Sequence, residues 1–347
     1  MSRIGRWSIG STRWSRAALV AALVGGTMGA ACRPKKRSGN PPLCVFQAVT
    51  DAEMMSQSLT PVQWLSIVAP KIDRSTLERM GPPTDACGRG LELEAEPWPA
   101  CPGQYPPTVP KVGDPVEASD VVLGQVGENR MLAWAATDEL ASGDAMGPAA
   151  LIIWKGSGLE VHATGLLRGL RRDARLRLHN TSGVLVVILD AQDCDVDDRC
   201  TTVTKFFPVV SRRFLDVPLL DADGNCIGSP SFVLDRRLEQ PQKGKLTRRF
   251  TLQRTVELSE EEGVVLVDLV VGEEYDPKDP VGTVKPFRRV TARRTLEFVE
   301  DHFVLRDRDL WEHVLSDYGL VRPDAPERTD AEAETEGEVD PIEEPRK

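Results

Sequence analysis

The sequence predicts a mainly β fold: an antiparallel, sandwich-like or barrel-like sheet with long C-terminal strands, preceded by a small helical region stapled by disulfides and closed by a C-terminal helix. Short apolar segments alternate with turn residues from about residue 120 onward, which is typical of antiparallel strands. Residues 246–258, 264–271 and 283–299 then have the length and apolar patterning of long strands. Helix-start signals concentrate before residue 81 and after residue 308.

The N-terminal segment has the three-part layout of a secretory signal. Residues 1–16 contain four arginines and no carboxylate, residues 17–31 are apolar and rich in small side chains, and residues 33–37 are basic. The apolar stretch is shorter than the roughly 20 residues that a membrane-spanning helix needs. We therefore predict a signal peptide over residues 1–31, with a permanent transmembrane anchor as the alternative.

The end of this segment, Gly29-Ala30-Ala31-Cys32, resembles a bacterial lipobox. In lipoproteins the cysteine of this motif carries the lipid and begins the mature chain. The resemblance therefore implies lipidation of Cys32 and attachment to a membrane of the cell envelope, facing the periplasm or the cell surface. Cleavage after Ala30 or Ala31 by an ordinary signal peptidase is the alternative. Residues 32–43, rich in proline, glycine and charge, are predicted to be a tether.

The cysteine count fits export. The chain has seven cysteines, and use of Cys32 for lipid leaves six, which can form three disulfides in an oxidising compartment. Three precede residue 102 and three follow residue 193, so if all six pair, at least one bridge joins the two regions. The shortest loop lies between Cys194 and Cys200. The alternatives are that some thiols stay free and buried, or, less favoured because no C-x2-C spacing occurs, a metal site. The six candidates are Cys44, Cys87, Cys101, Cys194, Cys200 and Cys226.

Residues 44–119 are predicted to form a small helical and irregular region. Thr60 followed by Pro61 provides a capping residue and a first helical position for a helix over residues 61–68. Two shorter helical segments are predicted on either side, over residues 51–59 and 73–80. The rest of the region is rich in proline and glycine, which predicts irregular chain held by disulfides.

Residues 120–320 are predicted to form the antiparallel β domain. Turn residues such as asparagine, aspartate, serine and glycine separate short apolar segments at the spacing of a sandwich or barrel. The short strands are predicted at residues 121–126, 131–137, 149–154, 159–164, 175–179, 184–190, 203–210 and 213–219.

The long strands carry charges on faces that are otherwise apolar. Arg248 and Arg254 interrupt the apolar face of the first strand, Asp268 is the sole charge in the second, and Arg294 interrupts the third. Two interpretations follow from this pattern. The arginines could line a cavity that binds an anionic ligand, or Asp268 could neutralise one of them inside the protein.

The end of the chain predicts a closing helix and then an acidic tail. Residues 309–318 place apolar side chains at helical spacing, and Gly319 follows as a C-cap. Residues 321–347 contain ten acidic and four basic side chains and few apolar ones, which predicts disorder.

Composition and motifs argue against several function classes. A net charge of −10 disfavours nucleic-acid binding. Asp193, Asp195 and Asp197 are weak candidates for a calcium site, because the glycine and glutamate of a calcium-binding loop are missing at the required spacing. The nucleophile, zinc-protease and phosphate-loop motifs are absent from the sequence. No cofactor is predicted.

The sequence therefore favours an exported, non-enzymatic binding or structural module of the cell envelope, whose partners are the membrane, through an N-terminal lipid, and an envelope protein. Two alternatives remain. One is a periplasmic carrier or chaperone for an amphipathic or anionic ligand, and the other is an exported hydrolase with an unfamiliar site.

Overall fold

The computed structural model describes residues 40–46, 59–92, 98, 101, 116–140, 143–155, 158–181, 183–195, 199–242, 246–259, 261–282 and 284–320. The predicted signal peptide, Cys32, most of the tether, the helix over residues 51–59 and the acidic tail lie outside these residues, as does Asp197. The chain from Pro41 onward groups into one compact unit. Within the described residues, neither helix has the length and apolar character needed to cross a membrane.

The predicted mainly β class is confirmed. The described strands form two sheets, of which the first has eleven strands in the order β2-β3-β5-β6-β10-β9-β8-β7, with β1 on β6, β4 on β5 and β13 on β9. Its strands are β1 Cys44–Phe46, β2 Val121–Gln125, β3 Arg130–Ala135, β4 Asp138–Glu139, β5 Ala145–Lys155, β6 Gly158–Gly169, β7 Arg175–Thr181, β8 Val184–Cys194, β9 Cys200–Val210, β10 Arg213–Phe214 and β13 Ser231–Val233.

The second sheet has seven strands in the order β12-β11-β18-β17-β16-β15-β14. Its strands are β11 Leu219–Asp221, β12 Cys226–Gly228, β14 Asp235–Pro241, β15 Thr247–Ser259, β16 Gly263–Tyr275, β17 Lys285–Val299 and β18 His302–Leu305. The long strands β15, β16 and β17 are consecutive antiparallel neighbours, and the nearly all-apolar β16 lies between the other two. Val264, Leu266 and Val270 of β16 are buried on the core face, whereas Val267, Leu269 and Val271 on the other face are only partly buried.

The first sheet curls almost into a barrel. Its two end strands, β2 and β7, approach each other at Gly124, where a Cβ atom would lie 2.2 Å from the carbonyl oxygen of Leu176. The interior of this near-barrel is filled by side chains, which makes it a packed core. The buried residues of this core are Leu132, Trp134, Ala136, Ala145, Ala149, Leu151, Ala163, Leu167, Leu176, Val187, Leu189, Phe207 and Phe214.

Replacing Gly124 with alanine should therefore open the contact between β2 and β7. We expect the free energy of unfolding to fall by about 1–3 kcal/mol, because the added methyl meets backbone and the strands must shift. Urea denaturation would measure the loss. Gly90→Ala is the matched control, since a Cβ there meets nothing within 4 Å. Equal stability of the two variants would contradict a close approach at Gly124.

The two sheets pack face to face through apolar side chains. Val186, Ile188 and Phe206 project from the outer face of the near-barrel and are fully buried. They belong to one cluster with Val264, Leu266, Leu296 and Phe303 of the second sheet. Because side chains alternate along a strand, β8 and β9 serve both the barrel core and this second core.

The strand predicted over residues 213–219 is wrong as a continuous element. The chain leaves the first sheet after Phe214 and enters the second sheet as β11, which pairs in parallel with β18. Pro218 lies just before β11 and has no N–H to offer a ladder, while its carbonyl oxygen accepts a hydrogen bond from the Phe303 N–H at 2.9 Å. This proline marks the crossing from one sheet to the other.

The N-terminal region packs on the outside of the first sheet. Its helix α1, Pro61–Val68, has the predicted Thr60 cap, completed by Gln63 in a capping box. Trp64, Leu65 and Val68 bury against β3, β5 and β6. The helix predicted over residues 73–80 is wrong. There the Asp73 carboxylate accepts hydrogen bonds from the backbone N–H groups of Ser75 and Thr76, which stabilises a turn in place of a helix.

All six cysteines that follow Cys32 are paired. Cys44 bonds to Cys87 within the N-terminal region, and Cys194 bonds to Cys200 across the β8–β9 hairpin. Cys101 bonds to Cys226, 125 residues away, and so joins the N-terminal region to the edge of the second sheet. Disulfides form and persist in oxidising compartments, so the three bonds indicate an extracytoplasmic environment.

Candidate functional site

The second sheet carries a buried group of charged side chains on its core face. Arg254 on β15 lies directly opposite Asp268 on β16, and Arg294 on β17 lies two residue pairs further along the same face. Directly paired residues share a face of the sheet, and side chains alternate between faces with a period of two. All three side chains therefore project to the same side. The antiparallel register of the three long strands therefore brings together residues that are up to 40 positions apart.

The contacts within this group are short and ordered. Arg254 donates from Nε to Asp268 Oδ1 at 2.7 Å and from Nη2 to Asp268 Oδ2 at 3.1 Å. Arg294 donates from Nη2 to Asp268 Oδ2 at 2.7 Å. The side chains of Asp268 and Arg294 are fully buried, and that of Arg254 is 4% exposed. One carboxylate thus holds two guanidinium groups in the protein interior.

A fourth member, Asp309, comes from outside the sheet. It is the N-cap of helix α2, Leu310–Asp317, and its Oδ1 accepts a hydrogen bond from the Trp311 N–H at 2.9 Å. Its Oδ2 accepts from Arg254 Nη2 at 2.8 Å and from Arg294 Nη2 at 3.3 Å. Asp309 therefore caps the helix with one oxygen and binds the sheet with the other. We call Arg254, Asp268, Arg294 and Asp309 the charged cluster.

The charged cluster is electrically balanced, with two guanidinium and two carboxylate groups. Burial acts to lower the pKa of Arg254, but its hydrogen bonds and charge interactions with Asp268 and Asp309 outweigh burial, and its pKa is raised. Burial acts to raise the pKa of Asp309, but the charges of Arg254 and Arg294 outweigh it, and the pKa of Asp309 is lowered. Both groups therefore stay ionised near neutral pH, which suits an ionic contact and not proton transfer.

Arg294 has hydrogen-bonding capacity to spare. Its Nε and Nη1 atoms are buried and have no hydrogen-bond partner among the described residues. Arg254, by contrast, also donates from Nη1 to the Val233 carbonyl oxygen at 3.3 Å, and its guanidinium lies 5.7 Å from the ring centre of Phe232. Arg294 can therefore donate hydrogen bonds to further acceptor oxygens.

Arg248, which the sequence grouped with the other arginines, lies elsewhere. It is one-third exposed and donates from Nε to Glu274 Oε1 at 2.8 Å. Its guanidinium lies 5.5 Å from the ring centre of Phe287 and 5.7 Å from that of Tyr318. Although it shares the face of Arg254, it is six residues further along the strand, so its partners are those of the sheet end.

Two of the weak calcium candidates, Asp193 and Asp195, lie near the tip of the β8–β9 hairpin. Asp195 accepts hydrogen bonds from the backbone N–H and the Nε of Arg199, both at 2.9 Å. Asp193 and Asp195 line an exposed cleft together with Arg199, Arg237 and Glu239. Within the described ranges no three histidine, cysteine, aspartate or glutamate side chains come close enough to hold a metal ion.

Two histidines contact carboxylates. His162 Nε2 lies 3.0 Å from Glu160 Oε2 on the same strand, and His302 Nδ1 lies 3.0 Å from Asp301 Oδ1. Hydrogen bonds from Lys155 and His162 hold the pKa of Glu160 below its ordinary value. Among the residues that the structure describes, neither imidazole hydrogen-bonds to a serine, threonine or cysteine side chain, so neither pair forms a triad of the hydrolase type.

The sequence indicated three of the four cluster residues but missed the link to Asp309. The sequence placed Asp309 at the start of the closing helix, and nothing local shows that one of its oxygens meets two arginines on the sheet. No protein-family model, curated protein or solved structure matches this chain.

The lowered pKa of Asp309 predicts acid sensitivity. A carboxylate with a folded-state pKa below its unfolded value stabilises the protein above the unfolded pKa, and this stabilisation is lost as the pH falls through the folded pKa. We expect the free energy of unfolding to decrease with falling pH below about pH 4, and Asp309→Asn to flatten that decrease. Urea denaturation across pH 2–6 would measure it. Asp317→Asn, on the exposed pair with Arg288, is the control and should leave the slope unchanged.

Proposed function

We propose that this protein is an exported, non-enzymatic binding or structural module of the bacterial cell envelope, anchored through a lipid on Cys32. The observation that carries the proposal is the set of three disulfides. Such a set needs an oxidising compartment, and the basic and apolar N-terminal segment has the layout of the signal that leads there.

The long-range disulfide suits a protein that is anchored at its N-terminus, because it links the N-terminal region covalently to the second sheet. Cys101 is fully buried where it bonds to Cys226. The bond ties the segment that follows the tether to the far sheet, so a pull on an N-terminal anchor would be shared by the whole β unit. This arrangement suits a protein held at a membrane surface.

The charged cluster and the packed near-barrel favour a binding role over a catalytic one. The charged cluster is electrically balanced, and the near-barrel is filled by apolar side chains. Enzyme sites instead pair a perturbed titrating group with an open cleft. An apolar cleft is present beside α1, lined by Ile72, Thr84 and Pro148, and it suits a small apolar contact.

The proposal is tested on the full chain expressed in a bacterium that processes lipoproteins. We expect mass spectrometry of the membrane-bound protein to find Cys32 as the acylated first residue and the three disulfides intact. Cys32→Ala should release the protein from the membrane fraction and leave the disulfides unchanged. Recovery of an uncleaved chain from the cytoplasm with reduced thiols would refute both export and anchoring.

A carrier role is the second candidate, and the charged cluster favours it. Arg294 is a fully buried cation with two donor atoms that no described residue accepts from. A buried donor without an acceptor is costly, and an acceptor group on a bound ligand would remove that cost.

A further inference from the structure

Helix α2 covers the core face of the second sheet beside the charged cluster. Phe250, Leu252 and Val270 on the sheet are buried under Leu310 and Trp311 of the helix, with Val314 and Leu315 in the same cluster. The helix is eight residues long and forms this contact with four buried side chains. It is therefore a short cover over an apolar sheet surface.

The three cluster residues on the strands carry a net positive charge, which the helix residue Asp309 neutralises. The long strands supply Arg254, Arg294 and Asp268, which sum to one positive charge. Asp309 completes the balance, and it is the most exposed member, at 30% of its side chain, whereas the other three are at 0–4%. The carboxylate of Asp309 thus occupies a site for a small anion on the sheet, at the place that solvent reaches.

The free donors of Arg294 enlarge this site. A carboxylate that bridges the two guanidinium groups from a ligand could also accept from Arg294 Nε or Nη1, which Asp309 does not reach. Next to the site lie the apolar side chains that α2 covers. An anionic head beside an apolar surface is complementary to an amphipathic molecule.

We propose that Arg254 and Arg294 form a binding site for the carboxylate of a single-chain amphipathic acid, and that Asp309 closes this site until such a ligand displaces α2. This inference deepens the proposed binding role and rests on it. The helix acts as a competing internal ligand, so the apparent affinity of the intact protein equals the intrinsic affinity of the open site multiplied by the fraction of molecules in which the helix is displaced.

The head of the site is tested by supplying the missing carboxylate in solution. Asp309→Gly removes a group the size of acetate, and glycine is tolerated at an N-cap. We expect sodium acetate to raise the melting temperature of Asp309→Gly saturably, beyond the effect of sodium chloride at equal ionic strength. Asp309→Asn is the matched control, because its amide still fills the site, and acetate should not stabilise it beyond chloride.

The apolar part of the site is tested with dodecanoate below its micelle concentration. We expect dodecanoate to stabilise Asp309→Gly at a concentration more than about tenfold lower than acetate, because the chain buries apolar surface. Uncharged 1-dodecanol has the same apolar chain but no carboxylate for the two arginines, so it should stabilise Asp309→Gly less than dodecanoate does at equal concentration. In the wild-type protein, saturating dodecanoate should speed amide hydrogen exchange of residues 310–317 more than about tenfold, the sign of a displaced helix.

The proposal is overturned if acetate affects Asp309→Gly and Asp309→Asn equally, or if dodecanol matches dodecanoate. Unchanged exchange in α2 of the wild-type protein with dodecanoate would also overturn it, and this measurement needs no variant to fold. None of these results would alter the acylation of Cys32 or the disulfides, so failure of the ligand site is distinguishable from failure of the envelope role.

Discussion

Asp268→Asn is expected to lower the free energy of unfolding by about 3–5 kcal/mol. Asp268 is fully buried and is the only residue that bonds to both arginines from within the sheet. The amide is nearly isosteric, so packing is kept while the negative charge is lost. Asp309 alone would then face two buried guanidinium groups, and uncompensated charge in the interior is costly because it has lost its hydration.

Chemical denaturation of the wild-type and variant proteins would measure this loss. Glu257→Gln is the matched control, since Glu257 lies on the solvent face of the same sheet and pairs with Arg293 at 2.9 Å, with half of each side chain exposed. An exposed pair of this kind contributes about 0–1 kcal/mol. A melting temperature of Asp268→Asn equal to that of the wild-type protein would show that the pairing with the arginines does not hold the sheet together.

Removing the Cys101–Cys226 bond is expected to lower the free energy of unfolding by about as much as Asp268→Asn does. The bond closes a span of 125 residues, and the chain-entropy relation then gives about 5 kcal/mol of stabilisation through the unfolded state. The Cys194–Cys200 bond closes a span of 6 residues, for which the same relation gives about 2 kcal/mol. The double variant Cys101→Ala/Cys226→Ala should therefore be less stable than Cys194→Ala/Cys200→Ala.

The two double variants serve as controls for each other, because each removes one bond and leaves no lone thiol. Urea denaturation under non-reducing conditions would give both free energies of unfolding. The long-range bond also joins the N-terminal region to the second sheet, so its loss should increase the rate of limited proteolysis of the protein more than the loss of the hairpin bond does. The reverse order of stabilities would contradict the role assigned to Cys101 and Cys226.

Much of the fold follows from local patterns. The alternation of apolar residues along β15 and β17 and the continuous apolar run of β16 are enough to predict long neighbouring strands and to place Arg254, Asp268 and Arg294 on the core side. Thr60 before Pro61 is enough to start α1. If all six later cysteines pair, their distribution requires at least one bridge between the two regions, and the structure shows that bridge as Cys101–Cys226.

Other features have no local signal. The division into two sheets at Pro218 depends on which strand β11 pairs with, and in the structure that strand is β18, whose other neighbour is β17. Asp73 forms a turn because its carboxylate competes for the backbone N–H groups that a helix would need. The near-barrel closes at Gly124 because the backbone of Leu176, more than 50 residues later, occupies the position that a side chain at Gly124 would fill.

By itself, the sequence determined the helices α1 and α2 and the long strands of the second sheet, which face of those strands is apolar, and that the six cysteines after Cys32 suit an oxidising compartment. These are properties of neighbouring residues, set by backbone geometry and side-chain alternation. Only the tertiary structure decided that Asp309 meets Arg254 and Arg294 while Arg248 meets Glu274. Such pairings depend on strand register and on where a helix docks, and those are settled by the packing of whole faces and not by any one segment.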